Sequence, residues 1–282
     1  MSQKYSISVC IITLNEESRI RDCLESVKWV DEIIVVDSFS TDKTVDICKE
    51  YTDRVYQRAW PGNIDQKNYT IGLAKCDWIL SLDADERLSP ELIKEIQEAV
   101  RNPGNVAGFF FPRRSFYLGR WIYHGDWYPD HQLRLFKRDC GQWQGTNPHG
   151  RVIVDGKTKY MKHDIYHFNY KNFSHQLKTI DTYSNIFADV MIEKNKGFSL
   201  FQLISRPLYK FIKVYFIKRG FLDGLPGFIL AVSNAFYIFV KYVKLWEREH
   251  SAAQPQPKDP SISPLRKGDT GGCKKPFQNL SS

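Results

Sequence analysis

Leu80-Ser81-Leu82-Asp83-Ala84-Asp85-Glu86-Arg87-Leu88-Ser89 is the stretch on which the reading of the chain turns. With Trp78 and Ile79 before it, it opens as a short apolar run of the kind that forms a buried strand, and it ends abruptly in acids. Side chains alternate faces along a strand, so Asp83 and Asp85 are expected on one side, about 6–7 Å apart along the backbone. Two carboxylates so placed repel each other unless something positive sits between them. A hard divalent cation with a diphosphate answers that need, because Mg²⁺ is usually held by one or two carboxylates plus substrate phosphates. A plainer alternative is a strand followed by an acidic helix cap, since Ser89-Pro90-Glu91 opens a helix. Capping accounts for those three residues and leaves the aspartate pair unexplained.

Upstream, Ile7-Ser8-Val9-Cys10-Ile11-Ile12-Thr13 reads as a strand, and Asn15 suits the cap of the helix after it. In that helix Ile20, Cys23, Leu24 and Val27 form one apolar stripe. Ile33-Ile34-Val35-Val36 is a second buried strand, ended by Asp37 and the turn Ser38-Phe39-Ser40-Thr41-Asp42. Helices are expected over about Lys43 to Tyr51 and Ile64 to Lys75, with a short strand at Arg54–Gln57 between them. Apolar strands alternating with helices imply an α/β fold with a mostly parallel sheet and right-handed crossovers. Ligands of such sheets sit beyond the carboxyl ends of the strands, where Asn15, Asp37, Asp83 and Asp85 would converge. Neither GxGxxG nor a Gly-rich GKS/GKT loop occurs, which argues against a dinucleotide fold and a P-loop. Phosphates would then be neutralised by a metal and by basic side chains. Lys67, between Gln66 and Asn68, is one such cation, or else a solvated helix lysine.

The 282 residues, 42% hydrophobic and 14% aromatic, are enough to fill a core. A net charge of +8 fits an anionic partner without choosing among nucleic acid, membrane surface and nucleotide. Six scattered cysteines without a CxxC pair read as reduced thiols of a cytosolic protein. The first apolar run is interrupted too soon by Asn15-Glu16-Glu17 to be a signal peptide.

From Asn105 to about His167 the alternation dissolves. Phe109-Phe110-Phe111 and Gln132–Lys137 read as strands, and Val152–Gly156 as half of a hairpin. Between them lie Arg113-Arg114 and the aromatics Phe116, Tyr117, Trp121, Tyr123, Trp127 and Tyr128, which suit either sugar stacking or a small subdomain core. After His175 the chain turns helical. Over 196–250 it becomes basic and aromatic, with Gly220–Gly227 read as a turn. The uncharged run from Phe228 to Val240 falls short of the about 20 residues that span a bilayer, so a pair of amphipathic helices in the membrane interface is expected. Residues 251–282, rich in Pro, Ser, Gly and Lys, read as a disordered tail.

Three motifs now stand in order: Val9-Cys10-Ile11-Ile12-Thr13-Leu14-Asn15-Glu16, Ile33-Ile34-Val35-Val36-Asp37-Ser38 with Ser40, Asp42 and Thr44, and Leu82-Asp83-Ala84-Asp85-Glu86. That set resembles glycosyltransferase family 2, the inverting enzymes of GT-A fold. Asp130-His131-Gln132-Leu133-Arg134-Leu135-Phe136, Gly141-x-Trp143-x-Gly145 and Gly220-Phe221-Leu222-Asp223-Gly224 extend the resemblance to about Trp246, toward the small bacterial branch of the lipopolysaccharide core β-1,4-glucosyltransferases. The resemblance implies that Thr13, Asn15 and Glu16 line a nucleotide pocket and that Asp37 accepts hydrogen bonds from the base. Asp83 would lie near ribose and metal, and Asp85 would ligate Mg²⁺ or Mn²⁺ on the diphosphate. The base for the acceptor hydroxyl would be Asp130, with Asp126 second, and the acceptor region would include Trp127, Arg134 and His149. Members of the branch often carry His-Glu where this chain has His149-Gly150.

The expected organisation is a transferase domain over 1–195, split into a nucleotide-sugar half (1–104) and an acceptor half (105–195), then the membrane helices and the tail. The expected activity moves a hexose, glucose from a UDP-sugar, to a lipid-linked or lipopolysaccharide-core glycan at the cytoplasmic face of the membrane. Two other readings compete with it. A non-catalytic nucleotide-sugar or glycan binder acting as a membrane scaffold has Gly150 as its support. Nucleic-acid binding has net charge alone, and the basic residues lie between large apolar side chains that suit lipid headgroups better than a duplex.

Overall fold

A computed structural model describes residues 5–145 and 150–251; His149 and the tail beyond Ser251 lie outside the described residues. The first half alternates as the apolar runs require: β1 (Ile7–Thr13), α1 (Ile20–Val27), β2 (Glu32–Asp37), α2 (Thr44–Lys49), β3 (Val55–Gln57), α3 (Asn63–Gly72) and β4 (Trp78–Asp83). β5 (Glu86–Leu88) and α4 (Pro90–Arg101) follow, the helix capped by Ser89, whose Oγ accepts from the Leu92 N–H at 3.1 Å. The second half brings β6 (Val106–Tyr117), β7 (Arg120–Trp121), β8 (Asp130–Lys137), β9 (Gly141–Gln144), β10 (Arg151–Val154), β11 (Lys157–Tyr160) and β12 (Ile165–His167). Three helices close the described chain: α5 (Phe173–Glu193), α6 (Leu200–Ile212) and α7 (Gly224–Ser251).

The main sheet runs in the order β3-β2-β1-β4-β8-β6-β12-β5, with β7 and β11 also paired to β6. β1 to β4 are parallel to one another; β8 is antiparallel to both β4 and β6. Alternation along the buried strands splits the core between two faces. Val9, Ile11, Val35, Leu80 and Leu82 meet α1 and α4 on one side. Cys10, Ile34, Ile79, Leu133 and Phe136 meet α3, Trp143 and Val152 on the other. The stripe Ile20, Cys23, Leu24 and Val27 is wholly buried, and burial pushes the thiols of Cys10, Cys23 and Cys48 up, as inert core cysteines require.

Three expectations change. β4 stops at Asp83, and Asp85 sits in the turn before β5, so strand alternation does not put the two carboxylates on one face. Val152–Gly156 does lie in a hairpin, β10 pairing antiparallel with β9 before it, while β11 joins β6 in parallel. The strand at Phe109–Phe111 is part of a twelve-residue β6 long enough to serve β8 and β11 with its first half and β7 and β12 with its second.

The third concerns Gly220–Gly227. Only Gly220–Asp223 is a tight 3-10 turn; Gly224 begins α7, so Pro226 and Gly227 lie within its first turns. That makes α7 a helix of 28 residues, and by length and composition Gly220–His250 is long and apolar enough to cross a membrane. It packs against both α5 and α6 and so ties α5 to the C-terminal helices.

Candidate active site

The carboxyl ends of β1, β2 and β4 open into a cleft of about 560 Å³ lined by Thr13, Glu16, Asn63, Asp83, Asp85 and His167 among others. Its back wall is a laced pair of loops. Asn15 takes a left-handed conformation (φ 54°), its N–H donates to Ser40 Oγ at 2.8 Å, and its Oδ1 accepts from the Thr41 N–H at 2.8 Å. The Glu16 N–H donates to Thr44 Oγ1 at 2.8 Å. Asp37 is fully buried and accepts from the Ser40 N–H at 2.8 Å, from the Ser40 hydroxyl and from Gln57 Nε2 at 3.3 Å. Asn15 and Asp37 therefore build the loops behind the cleft rather than its lining.

Three lining oxygens have no hydrogen-bond partner: Thr13 Oγ1, Glu16 Oε2 and Asn63 Oδ1. Buried polar atoms are normally satisfied, so these point to a polar ligand in the cleft. Burial pushes the Glu16 carboxyl above its ordinary range, with Arg19 pulling it back. Trp60, 52% exposed, stands at the lip.

The two aspartates have different surroundings. Asp83 is held by Lys67 Nζ at 2.6 Å and Arg134 Nη2 at 2.8 Å. Burial opposes its charge, but these two cations outweigh it and hold the carboxyl far below the usual range. Lys67 is 4% exposed and lies 4.0 Å from the Trp143 ring centre, so it is neither a solvated helix lysine nor free to reach a phosphate. Asp85 is held loosely, 3.8 Å from Arg19 Nη1 and 3.5 Å from His167 Nε2, and its backbone carbonyl accepts from the Phe168 N–H at 2.9 Å.

Behind both lies Glu86, with no exposure. Its Oε1 accepts from Arg134 Nη2 at 2.8 Å and Arg113 Nη1 at 3.2 Å, and its Oε2 from the Asp83 N–H at 3.1 Å. Arg113 goes on to Asp130, meeting Oδ2 through Nε at 2.9 Å and Nη2 at 2.6 Å, while Gln132 Nε2 donates to Oδ1 at 2.7 Å. Asp130 is thus joined through one continuous charge network to Asp83. Asp126 is elsewhere, bound by Lys210 of α6 and by Lys218 at 2.9 Å. Burial works against the Asp126 charge, but the two ammoniums lower its pKa below the ordinary value. Trp127 packs with Tyr117, Ile122 and Leu230, in a small core rather than on an open surface. Arg134 is 2% exposed and belongs to the wall behind the acidic cleft.

Sequence reasoning named neither Glu86, Arg113, Arg19 nor His167 as site residues. A signal was available for Glu86: Arg134 between Leu133 and Leu135 in an apolar strand demands a buried acid. Gly150 also has a local reason. A Cβ there would meet Ile64 Cγ1 at 2.6 Å, so the wall between α3 and Trp143 has no room for a glutamate.

Among the described residues no three His, Cys, Asp or Glu side chains form a ready-made metal cage. Asp85 and His167, with His167 Nδ1 steadied by Ser115 Oγ at 3.2 Å, are the pair that could share an ion with ligand phosphates.

Comparison with known proteins fits this geometry. The lipopolysaccharide core biosynthesis glycosyltransferase LpsC of Rhizobium meliloti is 29% identical over 266 residues, covering 92% of this chain and 98% of that one. An uncharacterized glycosyltransferase of Rickettsia typhi is 32% identical over 253 residues, 86% of this chain and 87% of that one. Glucosyl-3-phosphoglycerate synthase from Mycobacterium tuberculosis, solved with Mn²⁺ and UDP-glucose, aligns over 40% of this chain and 44% of its own at 24% identity, with a TM-score of 0.33, a likeness too loose to argue from. The profile of glycosyl transferase family 2 matches residues 8–161, and the chain belongs to that family.

Proposed function

We propose that the protein is a metal-assisted inverting hexosyltransferase, taking glucose from a UDP-sugar to a lipid-linked glycan of the lipopolysaccharide core at the cytoplasmic face of the membrane. The observation that carries the donor half is the acidic cleft, where unpartnered Thr13, Glu16 and Asn63 oxygens surround a loosely held Asp85. The nucleotide would lie along the 13–16 loop, with Asp37 and Asn15 fixing that loop's shape and Trp60 offering a ring for stacking. Asp85, with His167, would hold Mg²⁺ or Mn²⁺; when bound, the ion offsets negative charge on the departing diphosphate. Lys67 and Arg134 keep Asp83 ionised and fixed. Asp130 would accept the proton of the attacking hydroxyl, a role supported by its tie through Arg113 to the same network. The two lysines on Asp126 speak against that residue as the base.

The acceptor class is supported by the LpsC likeness along almost the whole chain. Membrane contact is supported by the outer face of α6 and α7, where Leu208, Leu225, Phe228 and Phe236 stay exposed near Arg206 and Lys213. The test measures nucleoside diphosphate released from UDP-hexoses with Mn²⁺ or with EDTA, for wild type and Asp85→Asn. Release that needs the metal and falls about 100-fold or more in the variant is expected. Release indifferent to both would sink the reading.

A further inference from the structure

A second cleft, about 410 Å³, opens on the other side of Arg19 from the donor cleft. Its lining includes Arg19, Arg87 and Lys171 together with the rings of Phe116, Phe168 and Tyr170, and it contains no acid. The donor cleft has the opposite character, with Glu16, Asp83 and Asp85 in its walls. Arg19 divides the two: Nη1 stands 3.7 Å from Glu16 and 3.8 Å from Asp85.

Arg19 is unusual in its own right. Its side chain is only 10% exposed, yet its guanidinium makes no hydrogen bond among the described residues. Guanidinium groups are strong donors, and none of the Arg19 nitrogens is sealed from open space, so they are available to the acceptors of a ligand. Lys171 is exposed and has no ion pair among the described residues. Arg87 is already matched, by Asp22 at 2.5 Å and by the Phe168 ring at 4.1 Å. Lys171 without an ion pair, and Arg19 held by its two carboxylates only at 3.7 and 3.8 Å, stand with aromatic rings in one cleft and describe a site for a charged sugar: the rings take an apolar sugar face and the cations take an anion.

We propose that this cleft binds the acceptor through a phosphate or carboxylate carried on its sugar, with Arg19 and Lys171 as the anion's partners. The inference rests on the transferase reading and specifies its acceptor as an anionic glycan. Arg19 then has a second task, because an anion bound to it competes with Asp85 and Glu16 for the guanidinium. Acceptor binding would release the donor-side carboxylates from that cation.

Calorimetry on the full chain tests this with four probes: UDP with Mn²⁺, a methyl hexoside 6-phosphate, the neutral methyl hexoside, and inorganic phosphate. UDP is titrated first, and its failure to bind would sink the donor reading while leaving the anion titrations interpretable. With UDP and Mn²⁺ saturating, the sugar phosphate is expected to bind and the neutral sugar not. Lys171→Gln should weaken the sugar phosphate about tenfold, while UDP affinity moves far less. Competition between sugar phosphate and UDP would overturn the proposal by putting the anion in the donor cleft. Inorganic phosphate binding as well as the sugar phosphate would overturn it too, since the cleft would then be a plain anion site. Unchanged sugar-phosphate affinity in Lys171→Gln would do the same.

Discussion

Glu86 shows how much of this site is decided out of sight of solvent. Two arginines from neighbouring strands and one backbone N–H converge on its carboxylate, and nothing else among the described residues offsets Arg134 as completely. Arg134 is driven toward an even firmer positive charge: burial opposes that charge, but Glu86 and Asp83 outweigh it. Removing the anion from such a group leaves cations stranded at low dielectric. Glu86→Gln should lower unfolding free energy by about 3–5 kcal/mol, read from urea denaturation, and should slow donor turnover as well. The sequence hid this because Glu86 follows Asp83-Ala84-Asp85 as one more acid in a surface-like cluster. Local spacing separated the acids from the apolar run but said nothing of Arg113 and Arg134, which arrive from 27 and 48 residues away. That Asp83 and Asp85 meet in one acidic cleft was legible by type, whereas their different surroundings depend on partners that spacing does not encode.

At the scale of elements, periodicity read the first half well. β1, β2 and β4 and the buried stripe of α1 follow from apolar runs and spacing alone, because each carries its burial pattern within its own residues. Partner choice in the second half was not readable. β6 could pair with anything extended, and β11 bypasses the turn at Gly156 to join it. The turn before α7 is the clearest loss. Asp223 is fully buried and accepts from the N–H groups of Tyr123 at 3.2 Å and His124 at 2.8 Å, while Arg120 Nη1 donates to its carbonyl at 3.0 Å. Gly227 is compulsory beside it, since a Cβ there would stand 2.0 Å from the Gly220 carbonyl oxygen. What reads as flexible turn chemistry is a tightly packed joint between α7 and the loop that leads to Asp130. Asp223→Ala should cost about 2–4 kcal/mol and raise hydrogen exchange selectively over residues 120–126, a pattern that simple destabilisation of α7 would not give.

For the whole molecule the dominant surface feature is the apolar outer face of the α6–α7 pair. Pro207, Leu208, Phe211, Val232, Phe236 and Phe239 line a shallow groove of about 410 Å³ there, with scarcely a polar atom. Exposed apolar area on this scale, flanked by basic residues, fits a membrane surface. Because Leu208 is 59% exposed and Phe236 45%, replacing both with glutamate should leave the fold intact. Cosedimentation with anionic vesicles should then fall about tenfold or more, and added salt should weaken wild-type binding only in part. Equal pelleting of wild type and variant would remove the membrane from the account.

The joint between those helices and the body has one further consequence. Lys210 and Lys218 both hold Asp126, the Gly125 N–H donates to the Lys218 carbonyl at 2.9 Å, and Asp223 fastens the same loop from the other end. A connection fixed at so many points does not swing. On the proposed membrane contact, the height of both clefts above the plane under α6 and α7 is therefore a built-in dimension of the molecule, set like the arm of a gramophone. A glycan rooted in that plane would reach Asp130 only when its own length matched the arm, so the platform would measure its substrate before any sugar is recognised.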